Sequence, residues 1–221
     1  MKPQDTMNQA ATKAKKRTDT RRTPTREDQV LERRRALLEA ALIVIARKGL
    51  AGFTMNDIAR EAGCSYGVVS FHFKSKEGIT LAALDHMVEE YDRNLNRSEY
   101  GSPVARLLGM IALDFDAEKS NPGHIAVFTA FWAESVRNPE YQRRCAELKG
   151  RYDAVVKADI AALAEQRRLV LDPAIVARSL NAMIDGLWIS GQVFGTIGPA
   201  DREMAKKACL FYLKSIFPDD F

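Results

Sequence analysis

Apolar residues in this chain recur three and four positions apart and almost nowhere alternate. That spacing predicts helices throughout. A first helix is expected over about Glu27–Lys48, with Leu31, Leu38, Leu42 and Ile45 on one stripe and Gly49 as its stop. Thr54 and Asp57 stand at capping-box spacing, with Asp in place of the usual Glu or Gln. They open a short helix that ends near Ala62, where Gly63 supplies the turn. Ser65 then caps a third short helix ending around Phe71–Phe73. Ser75 caps a longer one from Lys76 to about Asn96. Past Gly101 the segments become more apolar. Ser102-Pro103 opens a helix to about Glu118, and Asn121-Pro122-Gly123 reads as a break. Further helices are expected over His124–Val136, Pro139–Arg167, Asp172-Pro173 to about Phe194, and Ala200–Phe217. The count is nine, split three plus six near residue 74, with no internal repeat.

Composition narrows what such a chain can be. Hydrophobic residues make up 46% of the 221, enough for a substantial core. The net charge of +4 sits in one place: residues 1–25 hold seven Lys and Arg against Asp5 and Asp19, leaving the remainder nearly neutral. These residues lack apolar periodicity and are expected to form a disordered basic arm. A basic arm on a neutral body suits an anionic polymer, although a solubilising leader has the same composition. No run of about 18 apolar residues exists, so no membrane span is expected. The polar N-terminus lacks the apolar stretch of a secretory signal. Cys64, Cys145 and Cys209 are odd in number and far apart; they read as reduced thiols of a cytoplasmic protein, with neither a disulfide framework nor a zinc site. No metal or cofactor is implied. His72, His86 and His124 are the only histidines, none at metal spacing or beside a nucleophile motif, and there is neither a Gly-rich phosphate loop nor GxSxG. An enzyme is not expected.

The most informative stretch is Thr54 to Phe73, two short helices joined at Gly63. Close crossing of such helices needs a small residue, here Ala59, and the tight turn needs glycine. Ile58, Ala62, Val69 and Phe73 fall at spacings that pack inward. The outward face of the third helix carries Ser65, Tyr66, Gly67 and Ser70, short or hydrogen-bonding groups of the kind that meet base edges in a major groove. Thr54 and Lys76 sit at helix N-termini, which favour phosphate, and His72 can donate to phosphate. Arg21, Arg22 and Arg26 are placed to reach a minor groove or the backbone. A plain helical hairpin would share the Ala-x3-Gly pattern, and a helical adaptor that binds protein would share the fold.

Residues 33–84 resemble the DNA-binding domain of the tetracycline-repressor (TetR) family. The resemblance rests on Ala40-Ala41, Gly49, Phe53-Thr54, Ile58-Ala59, Ala62-Gly63, Ser65 and the run His72-Phe73-Lys74-Ser75-Lys76-Glu77. It implies an all-α fold: a basic arm at 1–25, an N-terminal three-helix helix-turn-helix domain at 26–74, and a larger helical ligand-sensing and dimerisation domain at 75–221. It also implies that Tyr66 and Gly67 face bases, while Thr54, Ser65, Ser70, His72 and Lys76 hold phosphates or neighbouring bases. Ser70 departs from the tyrosine of many members, which weakens its phosphate role. Gly67 inside the helix costs about 1 kcal/mol relative to Ala but lets the helix lie close to DNA.

Residues 128–194 resemble the choline-responsive, BetI-like branch of that family, through Phe131-Trp132-Ala133 and Ile184-Asp185-Gly186-Leu187-Trp188; Gly67-Val68-Val69-Ser70 fits the same branch. The resemblance implies a repressor that binds a palindromic operator as a homodimer and is released by a small molecule, choline or another cationic metabolite. Phe128 and Trp132 lie four apart on one helix face, and Trp188 three after Asp185 on another. Tryptophan faces attract quaternary ammonium groups, and Glu134 and Asp185 are candidate carboxylates. The same aromatics would equally serve as core, and a regulator of an efflux or catabolic operon with a hydrophobic ligand stays open. The last two helices are expected to form the dimer face, through Leu180, Ile184, Leu187 and Gly191 on one and Ala205, Cys209, Leu213 and Ile216 on the other. The fourth helix would link sensor to reader. A coupling of about 1–3 kcal/mol would change DNA affinity about 5- to 150-fold, with steep salt dependence.

Overall fold

The computed structural model describes residues 25–95, 100–118, 121–195 and 198–221. Among them the chain forms nine α-helices and no strand: α1 (Arg26–Gly52), α2 (Met55–Glu61), α3 (Tyr66–Phe73), α4 (Lys76–Leu95), α5 (Pro103–Asp114), α6 (Pro122–Ser135), α7 (Pro139–Arg167), α8 (Pro173–Phe194) and α9 (Pro199–Ile216). Of the expected arm at 1–25, residues 1–24, with Arg21 and Arg22, lie outside the described residues, as does the expected helix end at Asn96; Thr25 belongs instead to α1 as its cap.

Caps explain most of the starts. The Thr25 hydroxyl accepts from the Asp28 N–H at 3.1 Å, and Thr54 from Asp57 at 3.2 Å; each carboxylate reaches back to its threonine N–H at 2.8 and 2.9 Å. Both are complete capping boxes, with Asp where Glu is usual. Ser102, Asn121, Asn138 and Asp172 cap α5 to α8, each followed by a proline. Proline there gives up a donor that has no intrahelical partner and brings a helical φ.

Three boundaries differ from expectation. Gly49, at φ 69°, does interrupt α1, but one more helical turn follows it through Gly52. Asn121-Pro122 is a cap and first residue, so α6 begins two residues before His124. The helix begun at Pro103 stops at Asp114, four residues short of Glu118. There the main-chain carbonyl of Asp114 accepts the Trp188 indole N–H at 2.8 Å, and Arg202 on α9 donates to the Asp116 carbonyl at 2.7 Å. Long-range donors have replaced the helix's own.

Helices α1, α2 and α3 enclose Leu37, Ala41, Ile45, Phe53, Ile58, Ala59, Val69 and Phe73. Gly63, at φ 62°, makes the turn between α2 and α3, and Ala62 is half-buried. This core runs on into that of α4 to α9. Helix α1 packs on α4 and α6; α7 packs on α4, α5, α6 and α8; and α9 lies against α8. A bidentate pair ties α5 to α7: Arg106 donates to Asp159 at 2.5 and 2.7 Å, and Asp159 is 1% exposed.

The apolar stripes expected on the last two helices point the other way. Leu180, Ile184, Ala205, Cys209 and Leu213 are buried within the chain, against α6, α7 and one another. The exposed stripe of α8 is Ile175, Ala182, Gly186, Ile189 and Val193, and Met204 and Phe211 stand out from α9. Leu31, expected on the inward stripe of α1, is exposed.

Candidate functional site

The exposed end of α3 presents Ser65, Tyr66 and Gly67 to solvent, with Tyr66 51% exposed and Ser70 half-buried behind them. Ser65 caps α3 by position alone, without a side-chain hydrogen bond. Thr54 and Lys76 are already engaged. The Thr54 hydroxyl donates to the Asp57 carboxylate at 2.9 Å, so its one proton is used within the cap. Lys48 at 2.7 Å, then Thr54, hold Asp57 down at about 2. Lys76 donates to the Ala51 carbonyl at 2.8 Å and lies 4.5 Å above the Phe53 ring. One of its three donors thus closes the last turn of α1, and two remain for a phosphate. His72, half-buried, is held below the usual imidazole range by burial and by Arg34 and Arg33. It shares a groove with Arg26, Gln29 and Arg33. Arg33 and Arg34, from the run Arg33-Arg34-Arg35, add positive charge beside His72 that the spacing arguments had not singled out. Nor had they singled out Phe71, which is exposed between Tyr66 and the α3 terminus, with Lys74 over its ring at 5.5 Å.

The second site is a narrow cavity of about 20 Å³ among α4, α6, α7 and α8, nearly filled by its own lining side chains. Four of the five expected ligand residues converge there. Trp132 and Trp188 lie nearly parallel with centroids 6.5 Å apart, and Phe128 contacts both, at 6.1 and 5.8 Å. Asp185 lines the same space. Glu134 does not: it turns outward to Arg137 at 2.8 Å. Two residues along from Trp132, it stands about 200° around the helix.

The structure adds groups that no local pattern marked. Lys149 on α7 donates to both Asp185 oxygens, at 2.6 and 2.5 Å, and its ammonium lies 5.3 Å from the Trp132 ring centre. Tyr91 on α4 and Tyr152 on α7 line the cavity, and their hydroxyls donate to Asp114 at 2.7 and 2.5 Å. Burial pushes the Asp114 carboxyl up to about 6, partly offset by those two tyrosines and by Lys149. Asn181 also lines the cavity; its amide nitrogen donates to Asp153 at 3.0 Å, while its buried oxygen has no hydrogen-bond partner among the described residues. The Asp153 carboxylate fixes which end of that amide is which. Aromatic faces, the Asp185 carboxylate and the Asn181 oxygen suit a small cation that carries a hydroxyl donor.

Residues 103–218 match the family described as BetI-type transcriptional repressor, C-terminal, and residues 37–83 match bacterial regulatory proteins of the tetR family. The chain belongs to the TetR family. This TetR-type repressor is 30% identical over 187 residues to the HTH-type transcriptional regulator BetI of Paraburkholderia xenovorans strain LB400, covering 82% of this chain and 91% of that one. The regulator of the same description from Serratia proteamaculans strain 568 is 30% identical over 167 residues, covering 74% and 82%. Among solved structures, a transcriptional regulator from Saccharomonospora viridis, crystallised in complex with choline, is 27% identical with a TM-score of 0.70, covering 83% of this chain and 96% of that chain. A TetR regulator from Haloarcula marismortui, 20% identical with a TM-score of 0.74 over 84% and 98%, shares the fold. The TetR family is one of DNA-binding transcription regulators, not enzymes. No helix among the described residues is long and apolar enough to cross a membrane.

Proposed function

We propose that this repressor binds operator DNA as a homodimer through α3 and is released by a small quaternary-ammonium ligand, choline or a close relative, seated among α4, α6, α7 and α8. The observation that carries the reading is the meeting of Trp132, Trp188, Phe128 and Asp185, far apart in sequence, around one cavity. A desolvated cation over tryptophan is worth about 2 kcal/mol, and a nearby carboxylate adds to it. The choline bound by the Saccharomonospora viridis regulator supports the ligand class.

On the DNA side, Tyr66 and Gly67 face bases. Ser65, Ser70, His72 and the free donors of Lys76 hold phosphates, with Thr54 acting mainly as the α2 cap. The dimer forms on the exposed stripe Ile175, Ala182, Gly186, Ile189 and Val193 of α8 with Met204 and Phe211 of α9. Small residues at Ala182 and Gly186 let two copies of α8 approach closely. Helix-turn-helix dimers read half-sites about one helical turn apart, or multiples of it, so ligand needs only to favour another spacing of the two α3 helices.

The test is a gel shift on the DNA just upstream of the protein's own gene, with and without choline, alongside sedimentation of the free protein. A salt-sensitive shift that choline weakens, from a protein sedimenting as a dimer, is the expected result. A shift indifferent to choline removes the ligand and keeps the repressor, and a pure monomer at micromolar concentration removes the dimer.

A further inference from the structure

A cavity built to attract a cation already contains one. The Lys149 ammonium binds both oxygens of Asp185 and lies within cation–π range of Trp132. Carboxylate and aromatic face are the two kinds of contact that a quaternary-ammonium head group would seek there. We propose that Lys149 is an internal stand-in for the effector: it occupies the cation seat in the ligand-free repressor, and the incoming cation must displace it. The inference rests on the cation-binding reading of this cavity.

The geometry makes displacement feasible. The Lys149 side chain is 40% exposed, against 27% for Asp185. Its four-carbon stem lets the ammonium swing to water while the methylenes stay on the protein. A lysine ammonium is compact and strongly hydrated, so it gains from returning to water. A trimethylammonium group has no N–H donor and weaker hydration, so it gains from the aromatic faces. The exchange keeps Asp185 paired throughout, and a half-buried carboxylate is never left alone. The lysine also sets a threshold, because ligand at low concentration competes against a tethered cation of very high local concentration. Lys149 sits on α7 and Asp185 on α8, so breaking their bond removes one polar tie between these two packed helices as ligand enters, while that of Asn181 to Asp153 remains. Removing the lysine charge should therefore make the repressor more sensitive to the effector.

The experiment titrates choline into wild type, Lys149→Met and Lys149→Arg, following tryptophan fluorescence and calorimetric heat. Methionine keeps the length and apolar stem of the lysine and removes its charge; arginine keeps the charge. The expected result is that Lys149→Met binds choline about tenfold more tightly, equivalent to about 1.4 kcal/mol, while Lys149→Arg binds no more tightly than wild type. Equal or weaker choline binding by Lys149→Met, with wild type still binding, overturns the stand-in and leaves the cation cavity intact. If neither wild type nor Lys149→Met binds choline or tetramethylammonium, the cation reading itself fails, and this inference with it. Thermal melts of each variant with and without choline guard against misfolding: a stand-in predicts a larger ligand-induced rise for Lys149→Met at equal choline, whatever its starting melting temperature.

Discussion

Asp114 is the buried group whose ionisation should be measurable in the stability of the whole chain. It is 2% exposed, at the end of α5, and accepts the hydroxyls of Tyr91 and Tyr152 at 2.7 and 2.5 Å. Burial raises its pKa from 3.8 to about 6, more than those two bonds and Lys149 lower it. In the unfolded chain the carboxyl ionises near 3.8; in the folded protein it resists until near 6. Below 3.8 both states hold the proton, and the stability associated with the protonated form is fully present. As pH rises towards 6 the unfolded state gains by ionising first, and the folded state loses that advantage. At 1.36 kcal/mol per pH unit, the loss between these two values comes to about 3 kcal/mol. For a chain of this size that corresponds to about 6–12 °C in Tm.

The perturbation is Asp114→Asn. The amide keeps an acceptor for one tyrosine and must offer N–H to the other, whose oxygen can accept; any imperfect pairing costs about 1 kcal/mol at every pH. The informative quantity is therefore the slope of the difference. Urea unfolding of both proteins from pH 3 to pH 7, at one fixed protein concentration, should show Asp114→Asn gaining on wild type by about 3 kcal/mol across the window. Parallel pH profiles would refute the argument and place the carboxylate in a far better solvated setting than its geometry allows. The same variant should bind choline less tightly at pH 7, because the ionised carboxylate stands one tyrosine away from the cavity.

Three other outcomes follow from the same geometry. Tyr66→Ala should weaken operator binding about tenfold or more, as loss of a base contact worth about 1–3 kcal/mol would, without changing Tm, since the ring is half-exposed; gel shifts and melts read both. Lys76→Ala is the poorer probe, because its ammonium also closes α1 onto Ala51. Arg106→Met leaves Asp159 charged and buried, and should cost about 3 kcal/mol in urea unfolding. Asn181→Leu should abolish any preference for choline over tetramethylammonium while leaving tetramethylammonium binding within about twofold, because only the hydroxyl can use the open amide oxygen.

What the sequence made legible was local. Thr54 with Asp57, Gly63 and the inward Ile58, Val69 and Phe73 follow from chemistry within twenty residues, and the structure has each where that chemistry puts it. Phe128 and Trp132 share a face because they are four apart, and Glu134 is lost to the cavity because it is two further on. Lys149, Tyr91 and Tyr152 carried no such mark. They reach the cavity only through the way α4 and α7 cross α6 and α8. The α8 stripes show the limit most plainly. Leu180 with Ile184 and Ile175 with Ile189 are both apolar sets at helical spacing. Hydropathy makes α8 apolar on two sides and cannot say which side meets its own chain.

The two apolar sides of α8 also bear on how a signal reaches DNA. Tyr91 belongs to α4, and Phe128 and Trp132 to α6; both helices pack on α1, the helix that supports α2 and α3 and carries Arg33 and Arg34. The expected link through α4 is thus one of two, and the cavity lies between them. A ligand that spread α6 from α4 would tilt α1 against whichever of them held still. The energy available is modest. A coupling of 1–3 kcal/mol per site falls short of the roughly 5.5 kcal/mol that carries a population from 1:99 to 99:1. In the proposed dimer two cavities act on one equilibrium, and their couplings add to about 2–6 kcal/mol, which reaches that value only when both are filled. Because α8 walls the cavity with Trp188 and Asp185 and would face the partner of the proposed dimer with its other side, filling one cavity would also press on the interface shared with the second. Induction by choline should then be steeper than a single-site curve, and a variant that cannot dimerise should bind choline along a hyperbola.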